Sequence, residues 1–159
     1  MKAEIRIFEH KQFIGMKKQM SYAQNKTFEL WSTFMSRRKE IKDVIGQDLY
    51  SIQNYPEGFY NNFDLSRNFE KWACVEVNQT NEIPSGMELF HIPNGKYAVF
   101  IFTGSNAQAS EFFKSIFYEW LPSSEFELDL RPHFEILGSK YKKDSPDSEE
   151  EVWIPIKYK

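Results

Sequence analysis

Alternation of apolar and polar residues is the commonest pattern along the chain, and it predicts strands. Ile5 and Ile7 alternate with charged residues, and apolar positions recur through Phe13–Met16. Residues 4 to 20 therefore carry two short extended segments, which we expect to form a strand kinked at Gly15. Further strands are predicted at Leu49–Ile52, Trp72–Val77, Glu88–Ile92, Tyr97–Phe102, Phe134–Ile136 and Val152–Ile156.

Two other segments carry apolar residues at helical spacing. The first begins near Asn25, which we expect to cap it, and ends at the basic residues 37–39, which suit a helix C-terminus. Its apolar positions are Phe28, Trp31, Phe34 and Met35. The second is expected to stop before Pro122, because proline cannot continue a helix. Its apolar positions are Phe112, Phe113, Ile116, Phe117 and Trp120.

The order of these elements predicts an internal duplication. A Pro-Asn-Gly turn at 93–95 predicts that Glu88–Ile92 and Tyr97–Phe102 form a hairpin. Each half then has the order β-α-β-β, with pseudo-repeats at roughly residues 3–78 and 87–158. Equivalent segments recur at nearly constant separation, and Trp72 is matched with Trp153. A fold of two such units has a pseudo-twofold axis and a cleft between its halves.

The duplication is broken at one carboxylate, Glu135, because its counterpart in the first half is the neutral Ser51. Strand side chains alternate between faces, so Phe134 and Ile136 are expected to face the helices and Glu135 the other side. The same count places Trp72 and Trp153 on the face of Glu135. A carboxylate among indole rings predicts a pocket for a cation.

Two other interpretations of Glu135 remain open. It could be a solvated strand residue, with Trp72 and Trp153 packing on each other or on a loop. Burial would also raise its carboxyl pKa, so Glu135 is the catalytic candidate if the protein is an enzyme.

A second candidate region is the turn-rich segment 55–63. Its aromatic residues Tyr55, Phe59, Tyr60 and Phe63 are expected to fold over the pocket as a lid. Phe59, Tyr60 and Phe63 are expected to contact the ligand. Ordinary anchoring of a long loop is the alternative explanation.

Composition narrows the possible functions. The 159 residues fit one domain, and an aromatic share of 17% indicates a ring-rich core or a ring-lined pocket. A net charge of -3 disfavours direct binding of nucleic acid. The single cysteine, Cys74, and the lack of a signal or membrane segment predict a cytoplasmic protein. No metal-ligand spacing or phosphate-binding loop is present, so no metal or cofactor is expected.

Four segments together resemble the gyrase-inhibitor-like (GyrI-like) effector-binding family: Gly95–Phe100, Glu119–Ser124, Arg131–Ile136 and Glu151–Ile156. The family also provides ligand-binding domains of AraC-type and MerR-type multidrug-responsive regulators. The resemblance implies an α+β fold of tandem β-α-β-β units, with a curved antiparallel sheet, helices on one face and a central ligand cleft. It makes Glu135 the key acidic residue. Many relatives carry Tyr two residues later, where this chain has Leu137.

Three functions follow from the residues and the resemblance together. The first is sensing or sequestration of small hydrophobic, often cationic, molecules by a single domain spanning residues 1–159. The second is hydrolysis of reactive electrophiles by the pocket glutamate, as some similar proteins perform. The third is a protein-interaction role, with gyrase or a transcription regulator as partner. No segment is left over for a DNA-binding module, so a stand-alone member is expected.

Overall fold

The computed structural model describes residues 1–61, 63–78 and 82–159. In chain order the strands are β1 (Glu4–Phe8), β2 (Lys11–Met20), β3 (Leu49–Asn54), β4 (Phe69–Val77), β5 (Glu88–Ile92), β6 (Gly95–Thr103), β7 (Phe126–Leu128), β8 (His133–Leu137) and β9 (Glu149–Tyr158). The helices are α1 (Thr27–Arg37), a 3-10 turn at Arg38–Glu40, α2 (Asn106–Lys114), a π-helical segment at Ser115–Trp120 and a last turn α3 (Leu121–Ser123).

All strand pairs in the described residues are antiparallel, and eight strands lie in the order β1-β6-β9-β8-β3-β4-β2-β5. The short strand β7, which the sequence pattern did not predict, pairs with β9. The two halves meet where β3 pairs with β8, with Ser51 opposite Glu135. The predicted α+β fold of two related halves is therefore confirmed.

The outermost strands are exchanged between the halves. β5 pairs with β2 of the first half, and β1 pairs with β6 of the second. The predicted hairpin of Glu88–Ile92 with Tyr97–Phe102 is therefore wrong, and residues 4 to 20 form two strands rather than one. Local alternation predicts a strand but carries no information about its partner, which long-range packing selects.

The exchange forces the sheet to curl. β1 lies at one edge and β2 next to the other, yet only Glu9 and His10 connect them, a span of at most about 11 Å. The His10 ring stacks on His91 of β5, the strand at the other edge, with ring centroids 5.2 Å apart. The two edges of the sheet therefore approach each other.

Apolar side chains from eight strands, most of them aromatic, fill the inside of this curl, and among the described residues no helix contributes to it. We call this set the inner cluster; it comprises Phe8, Phe13, Tyr50, Ile52, Trp72, Cys74, Ile92, Tyr97, Val99, Phe134 and Trp153. The helices pack on the opposite, outer face. Leu30 and Phe34 of α1 cover the first half, and Ile116 of the π-helical segment covers the second.

The helices differ from expectation in detail. Phe28, expected on the buried face of α1, is 72% exposed, because the buried positions are Leu30 and Phe34. The second helix also continues through Pro122 to Ser123. The Leu121 N–H donates to the carbonyl of Ile116, five residues earlier, as in a π-helix. Pro122 has no N–H, so the helix can pass through it without leaving a donor unpaired.

Candidate functional site

A cavity of about 510 Å³ lies on the outer face, where the two halves meet. Its floor contains side chains of the central strands, including Gln53, Lys71, His133 and Glu135. One wall is α2 with the π-helical segment, and the opposite wall is Tyr22 with residues of the segment between β3 and β4. Both halves contribute, as expected for a central cleft.

Glu135 lies on the floor, but on the face opposite to the one expected. Paired residues of neighbouring strands share a face, so Glu135 lies beside Ser51 and Val152 on the helix side. Phe134 pairs with Trp153 and points into the curl. The faces were assigned wrongly because both sides of the sheet are buried, so an apolar side chain does not mark the side that carries the helices.

Trp72 and Trp153 consequently lie apart from Glu135. Both belong to the inner cluster, with 3% and 7% of their surfaces exposed. Trp153 stacks on Phe134 with ring centroids 5.2 Å apart. Each indole N–H donates to a glutamate two residues earlier, Glu70 or Glu151, so neither tryptophan lacks a partner.

The strand register also corrects the match between these two tryptophans. Ser51 pairs with Ala73, and Glu135 pairs with Val152, so Val152 is the counterpart of Ala73. Trp153 therefore occupies the position of Cys74. The longer connection between β3 and β4 shifts the separation of equivalent residues, which matching by residue type alone did not detect.

One hydrogen bond orients the Glu135 carboxylate. Gln53 Nε2 donates to Glu135 Oε1 at 3.2 Å and lies 3.0 Å from Ser51 Oγ. Burial raises the pKa of Glu135 to about 8; Glu150 also raises it, whereas Lys71 and the Gln53 hydrogen bond lower it. The side chain is only partly enclosed, because it faces the cavity. Burial therefore favours the protonated form of this carboxyl at neutral pH.

Lys71 is the charged floor residue that the sequence analysis missed. Its ammonium donates to Thr27 Oγ1 at 3.1 Å, and burial lowers its pKa although Glu135 and Glu150 act in the opposite direction. Burial likewise raises the pKa of Glu150 to about 7, against the effect of Lys71. The sequence pattern of β4 could have identified this lysine, because Lys71 shares one strand face with the apolar residues Phe69, Ala73 and Val75.

The segment between β3 and β4 meets the second helix over the cavity. Tyr60 stacks on Phe117 of the π-helical segment, with centroids 4.6 Å apart and planes at 21°. Phe63 lines the same cavity and lies parallel to Tyr60 at 6.0 Å. Phe59 does not line it: this residue is 2% exposed and packs behind Tyr60 and Tyr55.

His133 and a pair of tyrosines complete the polar part of the site. His133 is buried edge-on against Tyr55, and burial, with a smaller contribution from Arg131, lowers its pKa to about 3. His133 is therefore neutral at physiological pH. The hydroxyls of Tyr22 and Tyr55 are 2.6 Å apart, and burial raises the pKa of both. Both hydroxyls come from the first half of the chain.

A family model described as the GyrI-like small molecule binding domain matches residues 1–157. The chain belongs to this family. Among relatives, the transcriptional regulator BrlR of Pseudomonas aeruginosa is 29% identical over 131 residues, which are 80% of this chain and 45% of BrlR. The chain thus spans less than half the length of that protein.

Solved structures confirm the GyrI-like fold. SAV2435 bound to tetraphenylphosphonium superposes with a TM-score of 0.70 and 15% identity, covering 99% of this chain and 94% of that one. EcmrR in a DNA complex superposes with a TM-score of 0.75 and 12% identity, covering 99% of this chain and 58% of that one. At these identities the likeness concerns the fold.

In this GyrI-like domain the cavity has the properties of a small-molecule site. Aromatic side chains form its walls, while a carboxylate and an ammonium lie on the floor. Within residues 1–61, 63–78 and 82–159, no group of three or more His, Cys, Asp and Glu side chains is placed to hold a metal ion. In the same ranges, no helix is long and apolar enough to cross a membrane.

Proposed function

We propose that this domain binds small hydrophobic cations in the cavity between its halves, with Glu135 as the charge partner. The observation that carries the proposal is a single carboxylate on the floor of a cavity walled by aromatic rings. Tyr60, Phe63 and Phe117 present ring surfaces to a ligand, and ring faces attract cations that have shed water.

The cavity size and a structural neighbour support this assignment. A volume of about 510 Å³ accommodates a drug-sized aromatic molecule. SAV2435, which shares the fold, holds tetraphenylphosphonium, a hydrophobic cation without hydrogen-bond donors. Such a ligand gains from ring contacts and from one partly desolvated carboxylate, the two features that this floor and these walls provide.

The biological role that we propose is ligand sensing in the cytoplasm. BrlR is a transcriptional regulator, and the present chain matches less than half of it. By analogy, the ligand-bound domain would communicate with a DNA-binding partner, whether on the same polypeptide or on another one.

A pair of isosteric ions tests the binding proposal. Tetraphenylphosphonium and tetraphenylborate have nearly the same shape and opposite charge, and calorimetry at about pH 8.5 keeps most of Glu135 ionised. The Glu135→Gln variant should bind the phosphonium roughly tenfold or more weakly, because a desolvated charge partner is lost. Its affinity for the borate should not fall.

Glu76→Gln is the matched control for this experiment. Its side chain, 16% exposed and paired with Lys11, lies on β4 at a position facing away from the cavity. This variant should bind tetraphenylphosphonium as the wild type does. Failure of the wild type to bind the phosphonium, or equal binding by Glu135→Gln, would refute the proposal.

The raised pKa of Glu135 supports a second candidate, hydrolysis of an electrophile, since a carboxyl group with a pKa of about 8 is a competent general acid. Purified protein incubated with strained-ring electrophiles such as epoxides, followed by mass spectrometry, tests it. Catalytic turnover that disappears in Glu135→Gln would favour the enzyme. Binding without product would favour the sensor.

A further inference from the structure

The floor of the cavity carries two opposite charges that are not paired with each other. Glu135 and Lys71 both line the cavity, on β8 and β4 on either side of β3. Among the described residues, no ion pair within 4.0 Å involves Lys71, and its only hydrogen bond goes to Thr27 Oγ1. Two N–H donors of the ammonium therefore remain available to another acceptor.

The carboxylate is similarly incomplete. Glu135 accepts one hydrogen bond from a described residue, at Oε1 from Gln53. A carboxylate has about four acceptor positions, so most of its capacity remains unused. The two groups still sense each other, because each shifts the pKa of the other toward its charged form.

We propose that the cavity selects aromatic zwitterions, whose cationic group binds Glu135 while their carboxylate binds Lys71. This inference rests on the proposed binding function and specifies its ligand class. A simple cation satisfies Glu135 but leaves the ammonium of Lys71 partly desolvated and adds a like charge nearby. A zwitterion satisfies both groups at once.

The size of the preference follows from the contact that a carboxylate adds. A hydrogen bond between charged groups contributes roughly 1.5–3 kcal/mol, equivalent to about tenfold or more in affinity. If the ligand carboxylate instead lay in water at the mouth of the cavity, Lys71 would add little to the affinity. The affinity ratio between a zwitterion and its ester therefore reports whether Lys71 is the partner.

Rhodamine 110 and rhodamine 123 provide such a pair of probes. They share one cationic ring system, and rhodamine 123 carries a methyl ester where rhodamine 110 carries a carboxylate. Fluorescence anisotropy gives the Kd of each dye for the wild type and for Lys71→Met. The ratio of the rhodamine 123 Kd to the rhodamine 110 Kd should fall by about tenfold in Lys71→Met.

Lys114→Met is the matched control, because Lys114 also lines the cavity but lies on α2 with a 60% exposed side chain paired with Glu111. Its ratio should stay within twofold of the wild type. A fall of threefold or more in Lys71→Met alone supports the inference. A smaller fall, or an equal fall in both variants, overturns it, because net charge would then explain the preference.

A crystal structure of the wild type with rhodamine 110 tests the same point without any substitution. The dye carboxylate within 3.5 Å of Lys71 Nζ supports the inference, and a carboxylate placed elsewhere overturns it. A different result is expected if the domain does not bind hydrophobic cations through Glu135 at all. In that case neither dye binds, or Glu135→Gln binds both dyes as the wild type does.

Discussion

The two faces of the same central strands show how one sheet serves both stability and binding. On the inner face, apolar side chains from eight strands pack against one another, and the ring centroids of Phe8, Phe134 and Trp153 lie 5.1 to 5.6 Å apart. On the outer face, Glu135, which follows Phe134 in β8, lines a cavity together with Lys71.

The difference arises from what covers each face. The curl encloses the side chains of the inner face between the sheet's own strands. Two separate helices cover the outer face, one over each half, and the cavity lies between the areas that they protect. The ionisable groups Glu135, Lys71 and His133 line this cavity.

The largest expected effect is on stability, from a substitution on the inner face. Trp153→Ala should lower the free energy of unfolding by about 3–5 kcal/mol, because Trp153 is 7% exposed and stacked on Phe134. Urea titration followed by circular dichroism measures this loss. The affinity of the folded variant for tetraphenylphosphonium should remain within twofold of the wild type.

Phe28→Ala is the control for that experiment. Phe28 is 72% exposed on α1, so its loss should cost under about 1 kcal/mol. A comparable loss in both variants would show that the inner cluster is not the main source of stability.

The next largest effect is expected for Glu135→Gln on the cavity floor, which should raise the free energy of unfolding. The pKa of Glu135 is about 8 in the folded protein and near 4.5 when unfolded, so its ionisation increasingly favours the unfolded state as pH rises between these values. Glu135→Gln should therefore be more stable than the wild type by about 1–3 kcal/mol at pH 9, and by much less at pH 4. Urea titrations at both pH values measure it.

Glu150, with a pKa of about 7, acts in the same direction and remains in both proteins. Lys71 acts oppositely, because it favours the ionised carboxylates. The comparison between wild type and Glu135→Gln isolates one residue. A stability difference that did not grow between pH 4 and pH 9 would contradict the burial of this carboxylate.

The smallest effect is expected at the aromatic wall. Tyr60→Ala removes the ring that stacks on Phe117, which should weaken binding of tetraphenylphosphonium by about 0.5–1.5 kcal/mol, or roughly twofold to tenfold. Calorimetry measures the change. Tyr60→Phe keeps the ring and should bind within twofold of the wild type, so an equal loss in both variants would assign the effect to the hydroxyl instead.

Several features of the site could be predicted from the sequence, and others could not. Broken symmetry against Ser51 identified Glu135, and aromatic residues in a turn-rich segment identified Tyr60 and Phe63 as cavity residues. Lys71 was missed, although a lysine among apolar residues on one strand face was a usable signal. The positions of Trp72 and Trp153 were misjudged because alternation separates two faces without saying which one the helices cover.

By itself, the sequence determined most of the strands, the two helices, the duplication and the isolated carboxylate, because periodicity and residue type are local properties of a chain. Only the tertiary structure decided the exchange of β1 and β5, the curl that encloses the tryptophans and the placement of Glu135 and Lys71 in one cavity. These features depend on which strands pair, and the paired strands lie far apart in the chain. Strand pairing is decided by whether the apolar residues on both faces of the sheet become buried at the same time.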